Sequence, residues 1–171
     1  DITERWNAQE ALRESEERFR ALVETTSDWV WAVDEQLKYS YANPRVQDIL
    51  GYPPEEIICR TPFDFTPPEE TERLKRDFGA ILDRHEPFTS VEHAMVRRDG
   101  TRVVLETSGT PIFTPDGEYR GYRGIARDIT ARKQADEELR HSREQLRFAM
   151  EAANEGLWDW NLVIGEIDFS P

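Results

Sequence analysis

The sequence has little cysteine, no long apolar run and too few basic residues to balance its acidic ones. Its 171 residues include one cysteine, Cys59, which excludes a disulfide framework within the chain. No apolar run approaches the roughly 20 residues needed to cross a bilayer. The charged N-terminal segment DITERWNAQE is unlike a signal peptide. We therefore expect a cytoplasmic protein, with no membrane contact from this segment.

The balance of charge and the spacing of the histidines exclude further classes. Lys and Arg number 22 against 35 Asp and Glu, a net charge of −13, whereas nucleic acids and anionic membranes require clustered basic residues. The three histidines, His85, His93 and His141, do not stand with Cys, Asp or Glu at metal-site spacing. There is no phosphate-binding loop and no pattern for an activated nucleophile. We expect no metal site, no catalytic residue and no nucleic-acid partner.

An internal repeat organises the chain. The tripeptide Asp1-Ile2-Thr3 recurs as Asp128-Ile129-Thr130, and aligning the chain at that offset of 127 pairs Trp31 with Trp158. Residues 1–44 and 128–171 share 14 identities without a gap, 12 of them in the first 24 positions. The period is the size of a domain rather than of a solenoid unit. The sequence predicts one whole repeat followed by the start of a second.

The start of each repeat predicts a linker helix with a narrow apolar seam. Small or apolar residues recur at spacings of four and three. They are Ala8, Leu12, Ser15, Phe19 and Leu22 in the first copy, and Ala135, Leu139, Ser142, Leu146 and Ala149 in the second. Asp1, Thr3 and Thr130 are candidate N-caps. We expect a homodimer with Leu12, Phe19, Leu22, Leu139 and Leu146 in its seam; the alternative is a helix packed back on its own domain.

Between the two helices, the pattern predicts an α+β domain. Five segments have strand composition, with turns at Asp99-Gly100 and Pro115-Asp116-Gly117. The five segments are 29–34, 37–42, 89–97, 102–113 and 119–128. Three helical segments lie between the second and third strands, with Asn43 and Thr66 as expected caps. This order groups the helices on one side of an antiparallel sheet.

Three stretches of the sequence carry a family resemblance. They are SEERFRALVETTSDWVWAVD, YANPRVQDILGYPPEEI and RRDGTRVVLETSGTPIFTPDGEYRGYRGIARDIT. Together, the three stretches resemble a PAS domain with its C-terminal PAC motif. The motifs that carry the resemblance follow the family's order: N-P before a hydrophobic pair and G-Y, then R-D-G-T, G-Y-R-G, and D-I-T before a charged helix. The segment EGLWDWNLVIGEIDFSP resembles the opening of another PAS domain.

The resemblance implies a five-stranded antiparallel sheet with helices across one face and flanking linker helices. It divides the chain into a linker helix (1–24), a PAS/PAC domain (25–130), a second linker helix (131–153) and a truncated start of a second PAS domain (154–171). It further implies a sensor module of a bacterial histidine kinase, diguanylate cyclase or similar protein, with the output domain outside this segment. The alternative function is a ligand-free dimerisation spacer.

The resemblance raises two cofactor questions. Light-sensing relatives carry a reactive cysteine, but Pro62 takes its place here and Ala126 takes that of the flavin-facing glutamine. We therefore expect no cysteinyl–flavin adduct, and flavin bound without a covalent bond is the alternative that stays open. We expect Cys59 to be buried or half-buried. Oxygen-sensing relatives hold haem through a histidine near the position of His85; an imidazole there could bind iron. The alternative for His85 is a surface turn, and the cofactor stays unknown.

The resemblance also indicates which residues would surround a pocket and which would relay a signal. The pocket candidates are Phe63, Phe65, Phe78, Ile81, Met95, Tyr122, Gly124 and Ala126, and the same set could instead close a solid core. Asp128, Ile129 and Thr130 join the last strand to the second helix without a flexible linker. Asp128 could cap that helix or pair with an arginine, and its role could be purely structural.

Overall fold

The computed structural model describes the backbone of residues 1–167 and the side chains of residues 1–153. It divides the chain into one compact unit, Asp1–Thr130, and a second that begins at Ala131. The side chains of the predicted second-domain start, 154–171, lie outside the described residues. The candidate site is therefore built entirely from the first unit.

Five antiparallel strands form one sheet, as the sequence predicts. The strands are β1 (Trp29–Val33), β2 (Tyr39–Ala42), β3 (Phe88–Val96), β4 (Arg102–Phe113) and β5 (Tyr119–Asp128), in the spatial order β2-β1-β5-β4-β3. The turns before β4 and β5 place Gly100 and Gly117 at positive φ (84° and 85°), a conformation that glycine adopts without a steric penalty. The sheet thus brings β5, the last strand, to its centre.

Helical segments connect β2 to β3 and complete the core. They are α2 (Arg45–Leu50), α3 (Pro54–Ile57), a 3₁₀ turn (Pro62–Phe65) and α4 (Pro68–Arg84). Alternate residues of β1 are buried, as expected for a strand with one face on the core. The Phe78 ring of α4 meets Phe88 of β3 edge-on at 5.1 Å between centroids. The core therefore lies between one face of the sheet and these helical segments.

Two predicted caps have other roles. The Asn43 side chain does not cap α2: its Oδ1 accepts from Val30 N–H and its amide donates to the carbonyls of Val23 and Asp28, which ties α1 to the first strands. Thr66 does not cap α4 with its side chain, because its hydroxyl donates to the Pro62 carbonyl instead. In both cases a buried or turn carbonyl competes for the polar group, which local sequence cannot reveal.

Helix α1 spans Ile2–Thr25 and helix α5 spans Thr130–Ile167. Asp1 caps α1 as expected, accepting from Thr3 N–H at 3.4 Å. Val23 is the one buried residue of α1. The predicted seam residues are exposed, with 59% for Leu12, 61% for Phe19, 71% for Leu22, 50% for Leu139 and 62% for Leu146. Exposure of the α1 seam excludes the alternative in which that seam packs on its own domain.

Candidate ligand cavity and its junction with α5

A cavity of about 70 Å³ lies between the sheet and α4. Five of the eight predicted pocket residues line it, namely Phe63, Phe78, Met95, Tyr122 and Ala126. Phe65, Ile81 and Gly124 are not among the lining residues. Phe65 is fully buried but packs on Tyr39 and Tyr52, and the Ile81 carbonyl accepts from the Tyr122 hydroxyl. The interior is thus a packed core with a small, partly open cavity.

Gly124, a predicted pocket residue, lies beneath a tryptophan instead. A Cβ built on Gly124 would meet the Ser108 carbonyl oxygen and lie 2.7 Å from Cζ2 of Trp31. Gly109 is its cross-strand partner, and a Cβ there would lie 2.7 Å from Cζ of Phe88. The two glycines form a flat bed on which the Trp31 and Phe88 rings stack, 6.5 Å apart and 18° from parallel. Gly124 therefore makes room for a side chain.

Several residues with polar side-chain groups line the cavity but are not among the predicted pocket residues. Trp29, Trp31, His93 and Thr107 all line it. A signal for them was available, because a period of two places Trp29 with Trp31 on β1, and His93 with Met95 on β3. The spacing of His93 bears only on metal binding, and the aromatic residues of β1 indicate a strand without showing what they line.

Three of the residues that line the cavity each carry a buried side-chain nitrogen without a hydrogen-bond partner among the described residues. These nitrogens are the indole Nε1 atoms of Trp29 and Trp31, and Nδ1 of His93. The other ring nitrogen of His93 lies 2.9 Å from the Thr107 hydroxyl. Burial lowers the pKa of His93 to about 4, an effect that a backbone contact at Ala94 offsets only in part. His93 is therefore neutral at physiological pH.

The tyrosine in the wall has its polar group satisfied elsewhere. The Tyr122 hydroxyl donates toward the carbonyls of Glu86 (3.0 Å) and Ile81 (3.3 Å), at the end of α4. Burial, reinforced by the neighbouring Tyr119 and Glu86, raises the pKa of Tyr122 to about 12. Tyr122 therefore fixes α4 against the sheet and leaves its hydroxyl unavailable to a ligand.

Neither haem nor flavin fits this cavity as it stands. Cofactor and ligand sites of ordinary size occupy roughly 300–1,000 Å³, several times the volume present here. His85 does not line the cavity. It ends α4 in the left-handed conformation (φ 51°), and its ring stacks on Tyr119 at 3.9 Å. His85 therefore lies in a turn at the end of α4, as in the alternative to haem binding.

Cys59 is exposed, which corrects the expectation that it is buried or half-buried. It lies just after α3 at a positive φ of 66°, and its N–H donates to the Tyr39 carbonyl at 2.9 Å. The backbone hydrogen bond fixes this turn and directs the thiol outward. Across the part of the chain that the structure describes, no group of three or more His, Cys, Asp or Glu side chains is placed to hold a metal ion.

The junction between β5 and α5 is held by a cluster of polar contacts. Both arrangements considered for Asp128 occur at once: Oδ1 accepts from Thr130 N–H at 2.8 Å, and Oδ2 pairs with Arg97 at 2.9 Å. Ile129 is buried, and its N–H donates to the Val104 carbonyl at 2.9 Å. Val104 N–H in turn donates to the Thr130 hydroxyl at 3.0 Å. The start of α5 is thus bonded to β4 from both sides.

Arg97 links this junction to two other parts of the domain. Its Nε donates to the Ile49 carbonyl at 2.8 Å at the end of α2, and its Nη1 donates to the Arg102 carbonyl at 3.1 Å. Its Nη2 makes the contact with Asp128. One planar guanidinium therefore joins α2, the β3–β4 turn and the end of β5.

The ion pair lies close in sequence to the cavity wall on both sides. Arg97 follows the cavity-lining Met95 by two residues and lies just past the end of β3, and Asp128 follows the cavity-lining Ala126 by two and ends β5. Residues two apart on a strand share a face, so Asp128 lies on the same face of β5 as Ala126. A displacement of the cavity wall at either position would reach the ion pair through one intervening residue.

The comparisons with known proteins agree with this architecture. A family model for the PAS fold matches residues 23–134. Over 85% of its length, the chain is 30% identical to the protein y4lL of Sinorhizobium fredii. Over 92%, it is 31% identical to the methanogenesis regulatory histidine kinase FilI of Methanothrix harundinacea. The chain covers 18% and 17% of these relatives, so it spans less than a fifth of their length.

Solved structures show the same fold. A sensory box histidine kinase/response regulator from Burkholderia thailandensis superposes with a TM-score of 0.59 at 27% identity, covering 76% of this chain and 98% of that one. The PAS domain of a protein from Colwellia psychrerythraea gives a TM-score of 0.61 at 23% identity, covering 67% and 97%. With a family match over residues 23–134 and the sheet to support it, the chain belongs to the PAS fold family of signal-transduction sensor domains.

Proposed function

We propose that this domain binds a small molecule in the cavity between the sheet and α4, and relays its presence through β5 into α5. The observation that carries the proposal is the position of the Arg97–Asp128 ion pair, two residues after the cavity-lining Met95 and Ala126. The side chains of the pair are one-quarter to one-third exposed, so they are not fixed by burial in the core. The pair can therefore form or break when the cavity changes.

The continuity of the backbone supports the relay. Strand β5 ends at Asp128 and α5 begins at Thr130, so one residue, the buried Ile129, separates them. A strand and a helix joined this closely cannot move independently, whereas a flexible linker would absorb the displacement. A shift of β5 against β4 would then alter the angle or register of the helix.

The same helices are proposed to form a homodimer. The seam residues of α1 are large, apolar and more than half exposed, and an apolar row at heptad spacing is the usual contact of a coiled coil. A change in the direction of α5 in both copies would become a change in the pairing of two helices. Neighbouring PAS repeats and an output domain of the same chain would receive it.

The larger setting is proposed from the relatives. One is named a histidine kinase, and another, matched at 27% identity over 85% of this chain, is the sensor histidine kinase TmoS of Ectopseudomonas mendocina. We place this domain in a tandem array of a cytoplasmic sensory protein whose catalytic step belongs to another domain. In the part of the chain that the structure describes, no helix is long and apolar enough to span a membrane.

The ligand-free spacer is the second candidate function, and the small volume of the cavity favours it. A cavity of about 70 Å³ is well below the usual size of ligand sites. In this alternative the domain holds its neighbours at a fixed distance, and the cavity holds only water. The two functions differ in whether a molecule other than water binds in the cavity.

Saturation-transfer NMR with a small-molecule extract of bacterial cells separates the two. Ala126, a fully buried lining residue, gives the control variant Ala126→Leu, whose larger side chain fills the cavity. We expect signals from bound molecules with the wild-type domain that are lost with the variant. No signal from the wild type, or equal signals from both, would contradict ligand binding and support the spacer.

A further inference from the structure

Helix α5 presents an exposed row of small and apolar residues, of the kind through which two helices pair. Leu139 and Leu146 are 50% and 62% exposed. Together with Ala135, Ser142 and Ala149 they follow spacings of four and three, which places the leucines at a positions of a heptad and the small residues at d positions. The positions beside such a row, e and g, meet the partner helix, so their charges select the partner and its orientation.

Two charged residues flank this row without a partner. Glu138 stands at a g position and Arg143 at an e position. Both are exposed, and neither forms an ion pair with any residue whose side chain the structure describes. Arg143 lines the same surface groove as Leu139, so its side chain lies beside the row. The two charges are therefore available to a second helix.

The sequence of α5 gives neither charge a partner on its own helix. Ion pairs within a helix join residues three or four positions apart, as Glu137 and Arg140 do here. Glu138 has no Lys or Arg at those distances, and Arg143 has no Asp or Glu there. An opposite charge for Glu138 or Arg143 must therefore come from outside the helix.

The spacing of the two charges selects the orientation of the second helix. In two parallel helices in register, a g residue lies beside the e residue five positions later in the partner. Glu138 and Arg143 have that spacing, so two α5 helices side by side would bring opposite charges together at two places. In an antiparallel pair, g residues face g residues and e residues face e residues. Glu138 and Arg143 would then lie on opposite sides of the contact.

Helix α1 has the same row but lacks these charges. The offset of 127 pairs Glu138 with Ala11, and Arg143 with Glu16. The repeat thus preserves the row in both helices, whereas the complementary charges at these two positions occur only in α5. The selection of orientation is accordingly a property of the helix that follows the sheet.

Building on the proposed homodimer, we infer that α5 pairs with α5 of a second copy, parallel and in register, through ion pairs between Glu138 of each copy and Arg143 of the other. The occupant is a second copy because the two charges complement each other across a two-fold axis. This pairing directs both helices the same way, so that whatever follows them in the two copies lies on one side. A displacement of β5 in either copy would then reach a single helix pair.

Charge reversal in the whole chain tests this pairing. Glu138→Arg and Arg143→Glu each place like charges at both contacts, and each should raise the dimer dissociation constant on the order of tenfold in sedimentation equilibrium at low salt. An equimolar mixture of the two variants restores opposite charges at both contacts, so it should form heterodimers about as tight as the wild-type dimer. Glu137→Arg, the same substitution one position outside the flank, is the matched control and should change little.

The outcomes separate this inference from the homodimer itself. If the mixture associates no more tightly than either variant alone, or if Glu137→Arg weakens the dimer as much as Glu138→Arg, the parallel pairing is wrong while the homodimer stands. Single variants that dimerise as tightly as the wild type would likewise overturn the pairing. If the wild-type chain is a monomer at tens of micromolar, the proposed homodimer fails together with the inference.

Discussion

At the scale of single residues, His93 shows how burial changes a side chain that local sequence leaves undefined. Its ring lies in the core and hydrogen-bonds to Thr107, and burial lowers its pKa to about 4. Protonation would place a charge among apolar side chains and disturb the cavity wall. The residue therefore couples the stability of the domain to pH.

The first prediction concerns that coupling. An unfolded histidine has its ordinary pKa near 6.5, so between about pH 6.5 and about pH 4 the unfolded chain binds more protons at this residue. Stability is full above that window and falls as the pH falls through it, by about 3 kcal/mol in total. His93→Gln should flatten this part of the profile in urea unfolding measured across the window.

The exposed His141 gives the matched control, since His141→Gln also removes one imidazole. It should leave the pH profile of unfolding as it is in the wild type. A His93→Gln profile with the wild-type slope would contradict the assigned effect of burial.

The second prediction concerns the glycine bed beneath Trp31. Gly124→Ala should destabilise the domain by about 1–3 kcal/mol, because the new methyl group overlaps the Ser108 carbonyl and the Trp31 ring. Gly79 is the control: it lies inside α4 with nothing within 4 Å of an added Cβ. Gly79→Ala should stabilise by about 0.5–1 kcal/mol, as an alanine does within a helix. Equal thermal stability of the two variants would refute the packing described for Trp31.

At the scale of elements, the junction of β5 with α5 repeats the start of α1. Asp1 accepts from Thr3 N–H and Asp128 accepts from Thr130 N–H, so the repeated tripeptide forms the same capping contact twice. Only the second copy is described with an added arginine contact, from Arg97. The sequence motif determines the capping contact, and the surrounding domain adds the ion pair with Arg97.

The third prediction separates these two roles. Asp128→Ala should leave the sheet intact and weaken the start of α5 by about 1 kcal/mol, which corresponds to roughly fivefold faster amide exchange there. In a protein that retains its output domain, the variant should uncouple ligand binding from signalling. Asp1→Ala removes the equivalent cap and should leave that coupling unchanged. Normal signalling by Asp128→Ala would show that the contact is only structural.

The elements were easier to predict than the site. Strands β4 and β5 have the predicted bounds, because alternation and turn glycines are local signals. Local sequence could not show that Gly124 packs against a side chain rather than lining the pocket, because that side chain, Trp31, comes from β1, some 90 residues earlier. The role of Arg97 was equally hidden, since it depends on α2, a turn and β5 meeting at one point. Contacts distant in sequence determine the site.

At the scale of the whole molecule, the chain combines a net charge of −13 with apolar residues exposed on its helices. Large apolar residues such as Leu12 and Phe19 remain exposed on α1 although the domain has its own core. Exposed apolar rows of this kind mark interaction surfaces. We therefore expect two copies of the chain to associate through these helices.

The fourth prediction is that the chain sediments as a concentration-dependent dimer. Leu12→Glu should weaken the association by at least tenfold, because it places a charge in an apolar seam. Gln9→Glu, exposed and outside the seam, adds the same charge and should have little effect. A wild-type chain that sediments as a monomer at tens of micromolar would contradict the dimer.

The most direct test of the central claim is to fill the cavity and observe the junction. Xenon enters small apolar cavities, so its pressure can be raised while amide resonances are recorded. Ala126 and Met95 should shift as the cavity fills, and Ile129 and Thr130 should shift with the same pressure dependence, while Gly117 in the distant turn should not. Shifts confined to the cavity wall, with Ile129 and Thr130 unmoved, would contradict the relay from cavity to helix.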